Sequence, residues 1–147
     1  MYDLFLSVHN FMRWAFLAAA LYAIFKAVVG VSGGSPFSKS DNTAGAILLG
    51  TTHSQLLLGL ILFFMSPTVQ HAMGDMGATM KDPAMRKILV EHPLTMIIAV
   101  LVIQMGRIKV KKAYSDADKH KRSLIYFGLG LVLVLSMIPW NAPMFRF

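Results

Sequence analysis

Three histidines, His9, His53 and His92, each lie inside a different long apolar segment of the chain. Imidazole binds metal ions and carries protons. In a membrane such a side chain is costly unless it faces a bundle interior or a water-filled cavity, so each histidine is a functional candidate by default. Their positions predict a site between helices, and haem is the cofactor that suits a pair of imidazoles.

Depth indicates which histidines can act together. At about 1.5 Å per residue, His9 lies roughly 7 Å and His92 roughly 6 Å below the outer boundary, whereas His53 is roughly 20 Å deep. His9 and His92 belong to the first and third segments, which are diagonal in an up-and-down bundle and could supply both axial ligands of a haem b. His53 is the alternative metal ligand. Without a cofactor, it could join an interhelical network with Thr51, Thr52, Ser54 and Gln55.

Arg13 is a charged residue inside an apolar segment, so its guanidinium needs an anion or a hydrogen-bond acceptor. It follows His9 by one turn on the same face and lies roughly 13 Å deep, next to Trp14. Possible partners are a haem propionate, a quinone carbonyl, Glu91 or Gln55, and the alternative is snorkelling to the outer surface. Glu91 suits either a helix end or proton handling at a quinone site. The candidate cofactor-binding residues are therefore His9, Arg13, Trp14, His53, Gln55, Glu91 and His92.

The composition is that of a membrane domain. Of 147 residues, 56% are hydrophobic and 14% charged, and the mean hydropathy is +0.59. The apolar residues form four runs, and about 20 helical residues cross a bilayer core about 30 Å thick. The sequence predicts one all-α domain, an integral membrane four-helix up-and-down bundle. Its helices are expected at about 4–29, 44–66, 88–106 and 123–140, with an external loop at 67–87 and a basic cytoplasmic loop at 107–122.

Capping and breaking residues place the helix ends. The segment 31–36 is rich in glycine, serine and proline and predicts a turn. Asn42 or Thr43 is the expected cap of the second helix, and Ser66 with the following proline ends it. Pro93 is expected in the first turn of the third helix, where its missing N–H is harmless.

Basic residues set the orientation. By the positive-inside rule, the side that carries the first and third connections is cytoplasmic, which puts both termini outside a bacterial inner membrane. The basic residues of that side are Lys26, Lys39, Arg107, Lys109, Lys111, Lys112, Lys119, Lys121 and Arg122; the opposite side has Lys81, Arg86, Lys87 and Arg146. A nucleic-acid partner is a poor explanation of this charge, because the basic run is short, juxtamembrane and interrupted by Asp116 and Asp118.

The chain has no cysteine. This excludes disulfides, iron–sulfur clusters, thiolate-ligated haem and the usual covalent haem attachment, so any haem would be held non-covalently. The first apolar run has no Lys or Arg ahead of it, contains Arg13 and is too long for a signal-peptide core. It predicts a helix that is retained in the mature protein.

The external loop offers a second chemistry. Met73, Met76 and Met80 recur at helical spacing near His71, and thioethers bind Cu(I). The simpler interpretation is an amphipathic segment whose methionines pack against lipid or a partner. His71 and His120 are expected to be solvated loop residues.

The chain resembles a group of short four-helix membrane proteins of Bacteroidota that are often labelled cytochrome b-like. The resemblance covers almost the whole chain. It implies haem without indicating which reaction is served. The residues that carry it are His9-x-x-x-Arg13-Trp14, His53-x-Gln55, Ser66-Pro67, Glu91-His92 and Pro139-Trp140.

Two classes of function remain open. The first is electron transfer by a b-type haem protein that exchanges electrons with membrane quinone or quinol, or with another membrane or periplasmic redox subunit. The second is a non-catalytic accessory subunit, whose polar interior locks helix packing and whose loops dock other subunits or a second copy. In either case the chain is expected to be a component of an assembly in the lipid bilayer and not an enzyme in its own right.

Overall fold

The computed structural model describes residues 1–142, and these are helical with no β-strand. Four helices are long and three are short. The helices are α1 (Tyr2–Gly33), α2 (Lys39–Met65), α3 (Pro67–Gly74), α4 (Met76–Lys81), α5 (Pro83–Arg86), α6 (His92–Lys112) and α7 (Asp116–Met137), with a π-helical turn at Lys87–Glu91 before α6.

The four long helices pack in a ring. Helix α1 lies against α2 and α7, and α6 lies against the same two helices, so α1 and α6 are diagonal. Each helix contributes a large buried side chain to one core, namely Phe16, Leu48, Ile103 and Phe127. A side chain at Gly106 would overlap Tyr126, and one at Gly130 would overlap Ile103, so these glycines allow α6 and α7 to approach closely.

Three helices are long and apolar enough to cross a membrane, and they indicate a membrane protein. They are Tyr2–Gly33, Lys39–Met65 and the continuous helical run Pro83–Lys112. The outer surface of the bundle is correspondingly apolar, with exposed side chains such as Phe25, Leu57 and Leu101. Hydrocarbon accounts for such a surface, since soluble proteins rarely expose so much contiguous apolar area.

The second helix begins earlier than predicted, because Ser38 caps it and Asn42 and Thr43 do not. The Ser38 hydroxyl accepts the N–H of Asp41, and the Asp41 carboxylate accepts the N–H of Ser38 at 2.8 Å. This capping box satisfies donors that the first helical turn leaves free. The preceding turn forms as expected: α1 ends at Gly34, whose φ of 59° favours glycine.

The prediction of a basic loop at 107–122 was wrong. Helix α6 continues to Lys112 and α7 begins at Asp116, so only three residues connect them. The side chain of Ser115 caps α7 by accepting the N–H of Asp118 at 3.1 Å. The basic residues therefore lie on two helix ends that extend beyond the apolar segments.

The segment 67–87 was predicted as a loop but consists mainly of short helices. Ser66 ends α2, as expected, and its side chain also caps α3. Pro93 lies in the first turn of α6, yet helical backbone continues on its N-terminal side. Proline has no N–H to bond the carbonyl four residues back. The backbone accommodates it with a π-helical turn in which the His92 N–H bonds the Lys87 carbonyl.

Candidate functional site

The structure brings His9 and His92 together near one end of the bundle. His9 comes from α1 and His92 from the diagonal helix α6. His9 lies within electrostatic range of both His92 and Arg13. Both histidines are half-buried, and their pairing as ligands of one site stays a prediction.

His92 is held in a defined orientation. Its Nδ1 lies 3.2 Å from the carbonyl oxygen of Met137, at the end of α7. In the tautomer that donates from Nδ1, the other ring nitrogen has no proton and is free to act as a ligand or acceptor. The π-helical turn directly before His92 is a rare feature that often marks functional sites.

Three buried side-chain atoms have no hydrogen-bond partner among residues 1–142. They are His9 Nδ1, Arg13 Nε and Gln55 Oε1. Gln55 lies on α2 one turn before Gly59, and Gly59 packs beside His9: a side-chain carbon there would lie 3.6 Å from the His9 ring, an ordinary packing distance. A buried polar atom without a partner costs about 1–3 kcal/mol, so each of these atoms is a candidate for binding a group from outside residues 1–142.

Arg13 is bound by the backbone that follows α7. Its guanidinium donates to the carbonyl of Pro139 at 3.1 Å and to that of Ala142 at 3.5 Å, and only 6% of the residue is exposed. The guanidinium also lies 5.3 Å from the ring centre of Trp14. Arg13 is therefore buried against the segment that follows α7, and no carboxylate or amide side chain is among these hydrogen-bond acceptors.

Glu91 lies at the N-terminal end of α6, as expected, but pairs with Arg86 and makes no capping bond; its role in proton handling stays a prediction. Its carboxylate accepts a 2.8 Å hydrogen bond from Arg86, and no side-chain bond caps α6 at this position. Arg86 also donates to the Met80 carbonyl at 3.0 Å. The pair therefore fastens the short external helices to the start of α6, and Arg13 has other partners.

His53 does not line the interior wall as expected, because its side chain is exposed on the outer face of α2. The polar network predicted around it does not join helices either. Thr52 donates to the Leu48 carbonyl at 2.7 Å and Ser54 to the Gly50 carbonyl at 2.9 Å, both within α2. Gln55 alone of this group has a buried polar atom without a partner among residues 1–142.

Two buried residues at the opposite end were missed. His120 was expected to be solvated but is 1% exposed, with Nε2 3.1 Å from the Ser35 carbonyl and its ring against Phe37. Arg107 was assigned to a loop but is 4% exposed and donates to the Asn42 side chain at 2.8 Å. A periodic signal existed: the buried residues of α7 recur at helical spacing as His120, Ser123, Phe127 and Gly130.

The rival copper chemistry gains no geometric support from the described residues. Met73, Met76 and Met80 are exposed and belong to two separate short helices, and His71 is also exposed. Across residues 1–142, no three His, Asp or Glu side chains are grouped as for a metal ion. A haem with two axial histidines does not need such a group, because the porphyrin supplies the other four ligands.

Comparisons with known proteins identify no relative. No family model, no curated protein and no solved structure matches the chain.

Proposed function

We propose that this protein is a b-type haem protein of the bacterial inner membrane that transfers electrons. The observation that supports the proposal is that His9 on α1 lies within electrostatic range of His92 on the diagonal helix α6, while the buried Nδ1 of His9 has no hydrogen-bond partner among residues 1–142. The donor set fits a haem, because two imidazoles come from diagonal helices and a guanidinium stands beside them. A bound haem b would supply one-electron chemistry there.

The surrounding residues have definite tasks in this proposal. The Met137 carbonyl fixes the ring orientation and tautomer of His92, as second-shell acceptors do for metal-ligating histidines. The Arg13 Nε–H has no acceptor among residues 1–142, and a haem propionate would be a suitable anion for it. Trp14 shields the guanidinium from the lipid side through its ring face.

Membrane quinol is the proposed electron donor. Gln55 offers a buried amide oxygen without a donor, which could accept a hydrogen bond from a quinol hydroxyl. Membrane carriers reach a site between helices through the bilayer, so no soluble domain is needed. The same chain could instead pass electrons to or from a membrane or periplasmic redox subunit.

The proposal places four helices across the membrane, with α7 as the fourth and both termini outside. From Ser123 to Met137, α7 has only about 22 Å of uncharged helix at 1.5 Å per residue, and Trp140 supplies an interfacial anchor at its outer end. Positive charge gathers at the opposite end of the bundle, which is the expected cytoplasmic side.

A reduced-minus-oxidised spectrum of the detergent-purified protein, with haem quantified per chain, tests the proposal. We expect one b-type haem per chain, which His9→Ala and His92→Ala each abolish and His71→Ala leaves unchanged. A folded preparation from haem-replete cells that contains no haem would exclude this function.

The accessory-subunit function has one observation in its favour. Arg13 and His92 both bind backbone carbonyls at the end of α7, so these polar residues also lock α7 to the bundle. A purely structural site predicts a colourless protein. In that case His92→Ala would lower thermal stability without altering any absorbance above 400 nm.

A further inference from the structure

His53 occupies a position that a single copy of the chain does not explain. It lies near the middle of α2, about 20 Å from either helix end at 1.5 Å per residue. Its side chain is exposed, and it hydrogen-bonds to none of residues 1–142. An ionisable side chain at this depth needs a polar partner, since hydrocarbon supplies none. The partner is not among residues 1–142 of the same copy.

The surface around His53 is shaped for close contact. Going round α2, Gly50 lies at the centre of the exposed face, with Ala46 one turn before it and Ser54 one turn after it. A side chain at Gly50 would meet nothing within 4 Å, unlike one at Gly106 or Gly130, which would meet a neighbouring helix. A glycine inside a helix costs about 1 kcal/mol of stability relative to alanine. At Gly50 no close helix contact among residues 1–142 offsets that cost.

We propose that two copies of the chain associate through this outer face of α2, defined by Ala46, Gly50, His53 and Ser54. Both copies enter the membrane in the same orientation, so their α2 helices run parallel around a twofold axis. Such an interface is self-complementary: Gly50 at its centre faces its own counterpart, and residues on one side of the face meet those from the other side. Small residues at positions i, i+4 and i+8 let two backbones approach closely.

The hydrogen-bonding groups on this face of α2 support a second copy of the chain as the partner that covers it. His53 and Ser54 flank Gly50 on opposite sides of the face, so the twofold axis sets each His53 opposite Ser54 of the second copy. The Ser54 hydroxyl donates to the Gly50 carbonyl of its own helix, which leaves its lone pairs available. The imidazole N–H has a suitable acceptor there, and the symmetry makes this bond twice.

The absence of cysteine from the chain allows a clean crosslinking test. We expect Gly50→Cys, which lies on the twofold axis, to form disulfide-linked dimers in lipid vesicles at high dilution of protein in lipid. Leu101→Cys is the matched control, because Leu101 is 61% exposed on α6 and lies outside the proposed face. Equal crosslinking at Leu101 and Gly50, or none at Gly50, would overturn the proposal.

Two substitutions test the interface without relying on cysteine. Gly50→Ile should abolish dimers measured by energy transfer between labelled copies, whereas Gly128→Ile should not. A side chain at Gly128 also meets nothing within 4 Å, so both variants should fold alike. His53→Leu should weaken dimerisation about tenfold, given the modest strength of hydrogen bonds between membrane helices. Dimers that survive both Gly50→Ile and His53→Leu would show that another surface joins the copies.

Discussion

At the scale of single residues, Gln55 is expected to lower the stability of the protein while it speeds haem reduction. Its buried Oε1 has no partner, and an unsatisfied buried acceptor destabilises the folded protein. Gln55→Leu should therefore raise the free energy of unfolding by about 1 kcal/mol, while slowing haem reduction by quinol about tenfold.

The measurement for Gln55 combines a denaturation curve in detergent with stopped-flow reduction. Gln104→Leu is the control, because Gln104 is also half-buried but has no unpartnered buried atom. If Gln55→Leu is destabilising, Oε1 has a partner in the folded protein, and the binding role of this residue is wrong.

Arg13 tests how firmly the segment after α7 is held. Arg13→Gln removes a buried guanidinium from the carbonyls of Pro139 and Ala142, and it should lower the free energy of unfolding by about 1–3 kcal/mol. Arg122→Gln is the matched control: Arg122 also donates to a backbone carbonyl, that of Lys109, but at an exposed position. Its loss should be below about 1 kcal/mol. Equal losses in thermal denaturation would contradict a special role for burial at Arg13.

At the scale of helices, the π-helical turn before α6 positions His92. Pro93 cannot bond the Leu89 carbonyl, and the wider turn avoids that loss. Pro93→Ala restores the N–H and lets an α-helix form there, which should turn His92 away from His9. We expect reduced haem content with an unchanged helical circular dichroism signal. Pro83→Ala is the control, because Pro83 begins α5 after a non-helical residue, Asp82, and no π-helical turn precedes it. Equal haem content in the two variants would show that the π-helical turn does not position His92 for haem binding.

The sequence identifies helices better than it identifies their ends and faces. Three membrane-crossing helices follow from apolar runs, and the diagonal placement of His9 and His92 follows from their order. The ends of α6 and α7 were missed because charged residues suit a helix that projects into water as well as they suit a loop. His53 and Gln55 were placed on one wall, although two residues of α-helix turn the chain by about 200°. Only packing decided that Gln55 faces inward.

At the scale of the whole molecule, charge separates the two ends of the bundle. The short turn between α6 and α7 and the α1–α2 connection lie at the basic end, while the short helices α3–α5 lie at the other. Of the four basic residues expected at the outer end, Arg146 lies outside the described residues. A formal net charge of +7 thus falls mainly on one side, which favours the anionic cytoplasmic leaflet.

This asymmetry predicts which cysteine label is accessible from outside the cell. Ala78→Cys, exposed on α4, should react with a membrane-impermeant maleimide in intact spheroplasts. Tyr114→Cys, fully exposed in the α6–α7 turn, should react only after permeabilisation. The two sites are matched in that each replaces an exposed side chain in a cysteine-free chain. The opposite pattern would invert the protein and move the His9 site to the cytoplasmic half. Labelling of both sites in intact spheroplasts would mean that α6 does not cross the bilayer, and the four-span arrangement would be wrong.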